Sequence, residues 1–168
     1  YLSPSYLADT TEKLTGELIL KISMQDKILF CDNFIIEVLP YDHWSGIGVL
    51  PELIAAFITP NNAGNSVLLN DASTILKQWT GDPSLNAYQS LSVDRVKKQL
   101  GALYEAIAER SIIYCTPPVS FEQNGQRVRT SDTIFTQNLG TCLDMTLLYA
   151  GCIEAIGLNP IVIIINGH

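Results

Sequence analysis

A helix followed directly by a buried strand is predicted at the C-terminal end of this chain. Residues 142–156 are mainly apolar and long enough for a helix, and Gly157 follows where a glycine cap is favoured. After Asn159-Pro160 comes Ile161–Ile165, in which every residue is β-branched and apolar. Such a run is typical of a strand that is buried on both faces. The pattern therefore predicts a helix packed beside a core strand.

Helices also dominate the middle of the chain, whereas its first part has the pattern of strands. Helices are predicted from Pro51 through Phe57, from residue 64 or 65 to Trp79, and from Ser92, as N-cap, to Ile107. Strands are predicted at 18–22 and 34–39, with connections at 23–27 and 31–33, and residues 112–132 are predicted to be extended and loop-like. The fold class is therefore predicted to be α+β. Residues 1–40 are expected to be a β-strand segment that is part of a truncated preceding β domain. Residues 41–168 are expected to form a helical and α+β core.

Composition excludes several classes of function. The 168 residues carry a net charge of −7 and no basic run, which argues against direct binding of nucleic acid. The longest apolar run is strand-sized, so no membrane association is expected. The four cysteines (Cys31, Cys115, Cys142 and Cys152) form no C-x-x-C pair, which excludes a zinc ribbon or a thioredoxin motif. They predict a reduced protein in the cytoplasm, and neither a metal nor another cofactor is expected.

Two residues near the end of the chain suggest nucleophilic chemistry. Cys142 lies where the loop Gly140-Thr141 turns into the predicted helix. A helix N-terminus favours thiolate over thiol, and its free N–H groups can stabilise an oxyanion. His168 follows the predicted strand, which is expected to pack beside that helix. A Cys–His pair of nucleophile and general base is therefore predicted.

The order of these segments resembles the transglutaminase-like core of the papain-like cysteine hydrolases. The resemblance rests on residues 140–150, on Ile156-Gly157-Leu158-Asn159-Pro160, and on the apolar strand that leads to Gly167-His168. It implies helices packed on an antiparallel sheet, with Cys142 as nucleophile and His168 as general base. The family completes its triad with an Asp or Asn on the strand after the histidine. That residue is expected beyond His168, so the core is predicted to be incomplete at its C-terminus.

The whole chain is also similar, more loosely, to a region of large bacterial multidomain proteins, some of which continue into a superfamily 1 helicase. The chain begins at Tyr1 and ends on His168, and both ends predict a segment of a longer protein. The resemblance implies other domains of that parent chain as partners.

Six further residues are candidates for the site, and four of them have a structural alternative. Thr141 and Asp144 lie on either side of the nucleophile. Asp144 either matches an acidic position of the family or is an acid that stabilises the helix N-terminus. Gln137 is a candidate for stabilising an oxyanion. Gln126 and Arg127, together with Arg129, either line the rim of a cleft or belong to a solvated loop held by ion pairs.

Three functions remain open on the sequence. The first is a protease-like amide hydrolase or acyl transferase that acts on a peptide or protein amide through a thioester. The second is a catalytically inactive interaction or regulatory module with the same fold. The third, a zinc site with Cys142 and His168, is disfavoured because a closed site needs about four ligands.

Overall fold

The structure is a computed structural model that describes residues 3–165, and in it the chain divides into two compact units, Tyr1–His43 and Trp44–His168. Helix and strand are both present, which confirms the α+β class. The two units are described separately below.

A long antiparallel hairpin forms most of the first unit. After a short helix, α1 (Pro4–Ala8), strand β1 (Leu14–Met24) pairs with β2 (Lys27–Val38) around a turn at Gln25, whose φ is 51°. Cross-strand partners share a face, and one face carries Leu14, Leu18 and Ile22 opposite Val38, Phe34 and Phe30. The hairpin is therefore amphipathic, and most of this apolar face is exposed within the described residues.

The predicted connection at residues 31–33 is wrong, because these residues lie inside β2. Cys31, Asp32 and Asn33 pair with Lys21, Leu20 and Ile19. Asp and Asn have low strand propensity, but the register of the hairpin keeps them in the ladder. The prediction also missed α1.

The second unit contains four short strands and five α-helices among its described residues, together with two 3₁₀ helices. In chain order the elements are β3 (His43–Trp44, which begins at the last residue of the first unit), a 3₁₀ helix (Pro51–Phe57), α2 (Ala63–Thr80), a 3₁₀ helix (Ala87–Ser90), α3 (Val93–Ala108), β4 (Ile113–Tyr114), α4 (Phe121–Asn124), β5 (Gln126–Arg127), α5 (Ser131–Gln137), β6 (Leu139–Gly140) and α6 (Cys142–Ala155). The predicted helices at α2, α3 and α6 are confirmed to within about two residues at each end, and Ser92 caps α3 as predicted.

Helices α2, α3 and α6 enclose the main core of this unit. Its buried residues come from four helices: Leu68, Ala72, Ile75, Leu76, Ala102, Leu103, Ala106, Ile134, Leu148 and Cys152. A second buried cluster lies on another side of α6 and consists of Trp44, Ile54, Phe121, Val128, Leu143 and Leu147. Helix α6 is therefore covered on two sides, which explains why nearly all of its sequence is apolar.

A glycine ends α6 as the sequence predicts. Gly157 has a φ of +86°, its N–H donates to the Glu154 carbonyl, and the Leu158 N–H donates to the Ile153 carbonyl. These two bonds form a Schellman motif, in which glycine is favoured because it carries no Cβ. The motif directs the chain from the end of α6 toward residues 161–165.

The prediction of a strand buried on both faces at Ile161–Ile165 is wrong. The segment is not assigned as a strand, and Ile161, Ile163 and Ile165 are 86%, 77% and 61% exposed. Only Val162 and Ile164 pack, against the second cluster. Within residues 44–165 no strand is longer than two residues, so no neighbouring strand covers the other side. The antiparallel sheet that the family resemblance implies is not found there, and the transglutaminase-like core stays a prediction.

Two helices, α4 and α5, lie in or next to the region that was predicted to be loop-like. Helix α5 buries only Ser131 and Ile134, which is too little to give a visible apolar stripe. A tertiary contact holds it instead, since the Ser131 hydroxyl donates to the Asn65 side chain of α2 at 2.5 Å. The close approach of the two helices requires Gly64, where a Cβ would lie 2.8 Å from the Cβ of Ser131.

Candidate active site

Cys142 is the first residue of α6, and a capping box fixes the turn on which it lies. The Thr141 hydroxyl accepts the Asp144 N–H at 3.2 Å, and the Asp144 carboxylate accepts the Thr141 N–H at 2.9 Å. This reciprocal pair satisfies two backbone donors that a helix start leaves open. The predicted place of Cys142 at a helix start is confirmed.

Asp144 is completely buried and is shared between the capping box and Arg129. One carboxylate oxygen accepts the Arg129 N–H at 2.8 Å, and the other accepts from the Arg129 guanidinium at 3.0 Å. The predicted interpretation of Asp144 as a helix N-terminal acid therefore has a direct structural basis. Its carboxylate anchors the segment before α5 to the turn that carries the nucleophile.

Arg129 also contacts Gln137, the residue predicted to stabilise an oxyanion. The Arg129 Nε donates to the Gln137 amide oxygen at 3.1 Å, and Gln137 is exposed at the end of α5. The structure thus connects Gln137 to Arg129, while its role toward an oxyanion stays a prediction.

Gln126 is the residue whose surroundings differ most from expectation. It was predicted either to line a rim or to belong to a solvated loop, but it is 2% exposed, and its Nε2 donates to the Thr141 hydroxyl at 3.1 Å. Arg127, beside it in β5, is exposed. Burial alternates along this extended segment, with Gln126 and Val128 inside. The residue types predict burial of Val128 but not of Gln126, because glutamine is polar.

Two buried polar atoms in this region have no hydrogen-bond partner within the described part of the chain. They are the Oε1 atom of Gln126 and the Nε1 atom of Trp44. An unpaired buried group costs about 1–3 kcal/mol, so its retention calls for an explanation. Gln126 therefore presents an unused acceptor from a side chain that already contacts the N-cap of α6.

Cys142 lines a groove with a volume of about 220 Å³. Besides Cys142, the groove is lined by Phe121, Leu143, Thr146 and residues 162–165. Apart from the thiol and the hydroxyl of Thr146, the lining side chains are hydrocarbon. The groove, called here the thiol groove, offers an apolar surface beside a half-buried cysteine.

Gly140, two residues before Cys142, is buried and packed. A Cβ at this position would lie 2.9 Å from the Met145 sulfur. The space beside Gly140 is therefore occupied by Met145.

The other cysteines have different surroundings. Cys152 is fully buried in the main core, and burial raises the pKa of its thiol to about 12. Cys115 is half-buried, with its N–H donating to the Gly140 carbonyl at 2.8 Å, and Cys31 is exposed on β2. Among the four, Cys142 alone is both accessible and placed at the start of a helix.

His168, the predicted general base, lies outside the described residues. Between residues 3 and 165 no group of three or more His, Cys, Asp or Glu is arranged to hold a metal ion. In the same range no helix combines the length and apolarity that crossing a bilayer demands.

Comparison of the chain with models of protein families, with curated proteins and with solved structures gave no match.

Proposed function

We propose that the second unit is a cysteine-dependent amide hydrolase or acyl transferase with Cys142 as its nucleophile. The observation that supports this proposal is that three features coincide at Cys142: a helix start, a groove and a fixed N-cap. Cys142 begins a 14-residue helix, lines a groove, and follows an N-cap that is bound by the side chains of Gln126 and Asp144.

The backbone around Cys142 supplies the groups that acyl transfer needs. The capping box uses the N–H groups of Thr141 and Asp144, whereas those of Cys142 and Leu143 belong to the first turn, where an α-helix has no internal partner for them. Such N–H groups can donate to the oxyanion that forms when a sulfur attacks a carbonyl. Gln126, through the N-cap hydroxyl, holds the same turn in place.

The reaction we propose has two steps. The Cys142 sulfur forms a bond to the amide carbon, the C–N bond breaks, and the leaving amine takes the proton that His168 removed from the thiol. Water or an amine, deprotonated by the same base, then attacks the thioester, and the C–S bond breaks to release the thiol. The products are an amine and either a carboxylic acid or a new amide.

Alkylation rates test this proposal directly. The full chain is treated with limiting iodoacetamide, and modification of each cysteine is followed by peptide mass spectrometry. We expect Cys142 to react at least tenfold faster than half-buried Cys115, and His168→Ala to remove most of that advantage. Cys142→Ser serves as the control that the assigned peptide is correct.

Equal alkylation rates at Cys142 and Cys115 would contradict the proposal. They would leave the inactive interaction module as the better interpretation of this unit. A fast Cys142 that is indifferent to His168→Ala would keep the nucleophile but remove the histidine from its role.

A further inference from the structure

A second and larger pocket lies between the end of α3 and the first half of α6. Its volume is about 460 Å³, and its lining includes Tyr104, Ile107, Ile112, Met145 and Tyr149. Pockets that bind small molecules usually measure about 300–1,000 Å³ and are mostly apolar. This cavity, called here the α3–α6 pocket, therefore has the size and character of a ligand site.

One partly exposed stripe of α6 connects this pocket with the thiol groove. Cys142, Met145, Thr146 and Tyr149 are spaced i, i+3, i+4 and i+7, and they are the only residues from 142 to 150 that are not buried. Thr146 lines both cavities. With a rise of 1.5 Å per residue, Tyr149 lies roughly 10 Å along the helix from Cys142. A group attached to the Cys142 sulfur could thus pass over Thr146 into the pocket.

Two of the four hydroxyl groups in the lining, those of Thr146 and Tyr149, are already engaged, and the surface that remains is mainly carbon. The Thr146 hydroxyl donates to the Cys142 carbonyl at 2.8 Å, and the Tyr149 hydroxyl donates to the Leu100 carbonyl at 2.9 Å. No charged side chain belongs to the lining. A ligand is therefore recognised here by its apolar surface and shape.

We infer that the α3–α6 pocket receives an apolar aliphatic or aromatic group on the acyl side of the substrate. This inference rests on the proposed function, because the substrate carbonyl must reach Cys142. It adds the class of acyl group: one long enough to extend about 10 Å from the carbonyl along α6 and free of charge over that length.

A series of alkylating probes tests the pocket separately from the nucleophile. N-methyl, N-butyl, N-hexyl and N-benzyl iodoacetamide carry the same reacting carbon, and each forms a C–S bond with release of iodide. We expect N-hexyl iodoacetamide to modify Cys142 at least tenfold faster than the N-methyl probe. At Cys115 and Cys31 we expect the two probes to differ by less than threefold.

A matched pair of variants locates the cause of any preference. Ala108, the exposed last residue of α3, lines the pocket, whereas Ala155, the exposed last residue of α6, lies outside it. Ala108→Phe should fill the pocket and reduce the N-hexyl preference to below threefold, and Ala155→Phe should leave it unchanged. Ala108→Leu, a smaller intrusion, should give an intermediate preference, and circular dichroism checks that each variant is folded.

Two outcomes would contradict the inference about the pocket but leave the role of Cys142 as nucleophile unaffected. One is a Cys142 that reacts rapidly with iodoacetamide but shows no preference for longer probes. The other is a preference that survives Ala108→Phe, which would assign it to the thiol groove. A slow Cys142 with every probe would instead contradict the proposed function itself.

Discussion

The guanidinium of Arg129 lies 3.0 Å from the buried carboxylate of Asp144, and this ion pair ties the segment before α5 to the turn that carries Cys142. Asp144 also accepts two backbone N–H groups, from Arg129 and from Thr141. The arrangement fixes the nucleophile without touching it.

Removing either member of the ion pair should destabilise the protein, but to different degrees. Asp144→Ala leaves the Arg129 cation and two buried N–H groups without their acceptor, so we expect a loss of about 3 kcal/mol in the free energy of unfolding. Arg129→Ala keeps both backbone bonds to Asp144, and we expect about half that loss. Urea unfolding of both variants checks this order, and the opposite order would mean that Asp144 is not the centre of the contact.

Loss of the N-cap should affect both stability and the reactivity of Cys142. Thr141→Val keeps the shape but removes the hydroxyl, which should cost about 1 kcal/mol of stability and slow the alkylation of Cys142. Thr141→Ser, which keeps the hydroxyl, should behave like the original protein in both measurements. If the two variants alkylate at the same rate, the cap does not contribute to reactivity.

Replacing Gln126 should separate a functional role from a structural one. Gln126→Met is similar in volume and removes the unpaired acceptor, so the free energy of unfolding should change by less than about 1 kcal/mol. Alkylation of Cys142 should nevertheless slow severalfold, because Gln126 positions the N-cap hydroxyl. An unchanged alkylation rate would assign Gln126 to packing alone. Gln78→Met, at an exposed position of α2, is the matched control and should change neither quantity.

Stability should fall in alkaline solution because Cys152 is buried as a neutral thiol. Its pKa is raised from the ordinary value of 9.0 to about 12, so its contribution is fully present below about pH 9 and is lost as the pH rises toward 12. Between pH 8 and pH 10.5 we expect the free energy of unfolding to drop by about 2 kcal/mol from this group. Cys152→Ala should abolish that part of the drop, as urea unfolding at the two pH values would reveal. Burial also raises the pKa of Tyr149, so part of the alkaline decline should persist in the variant.

The helices α2, α3 and α6 were predictable from sequence because local chemistry specifies them. Ser92 and Thr141 begin their helices by side-chain capping, and Gly157 ends α6 with a positive φ that glycine adopts without strain. The place of Cys142 follows from these signals, since both the cap and the apolar run lie within a few residues of it. These helix ends can be predicted from neighbouring residues alone, because the hydrogen bonds that cap them are short-range.

Contacts between distant segments decided the remaining features, which is why sequence reasoning missed them. Cys31 and its neighbours lie in β2 because Lys21 and the rest of β1 pair with them. Gln126 is buried because it donates to the hydroxyl of Thr141, 15 residues away in the chain. The negative charge of Asp144 is paired with the guanidinium of Arg129, which is also 15 residues away. Ile161–Ile165 is exposed on one side because no strand within residues 44–165 is long enough to cover it. Sequence alone thus determined where the helices begin and end and which cysteine lies at a helix start. Only the tertiary structure showed the long-range contacts that hold this helix start in place, because burial and pairing depend on residues far apart in the chain.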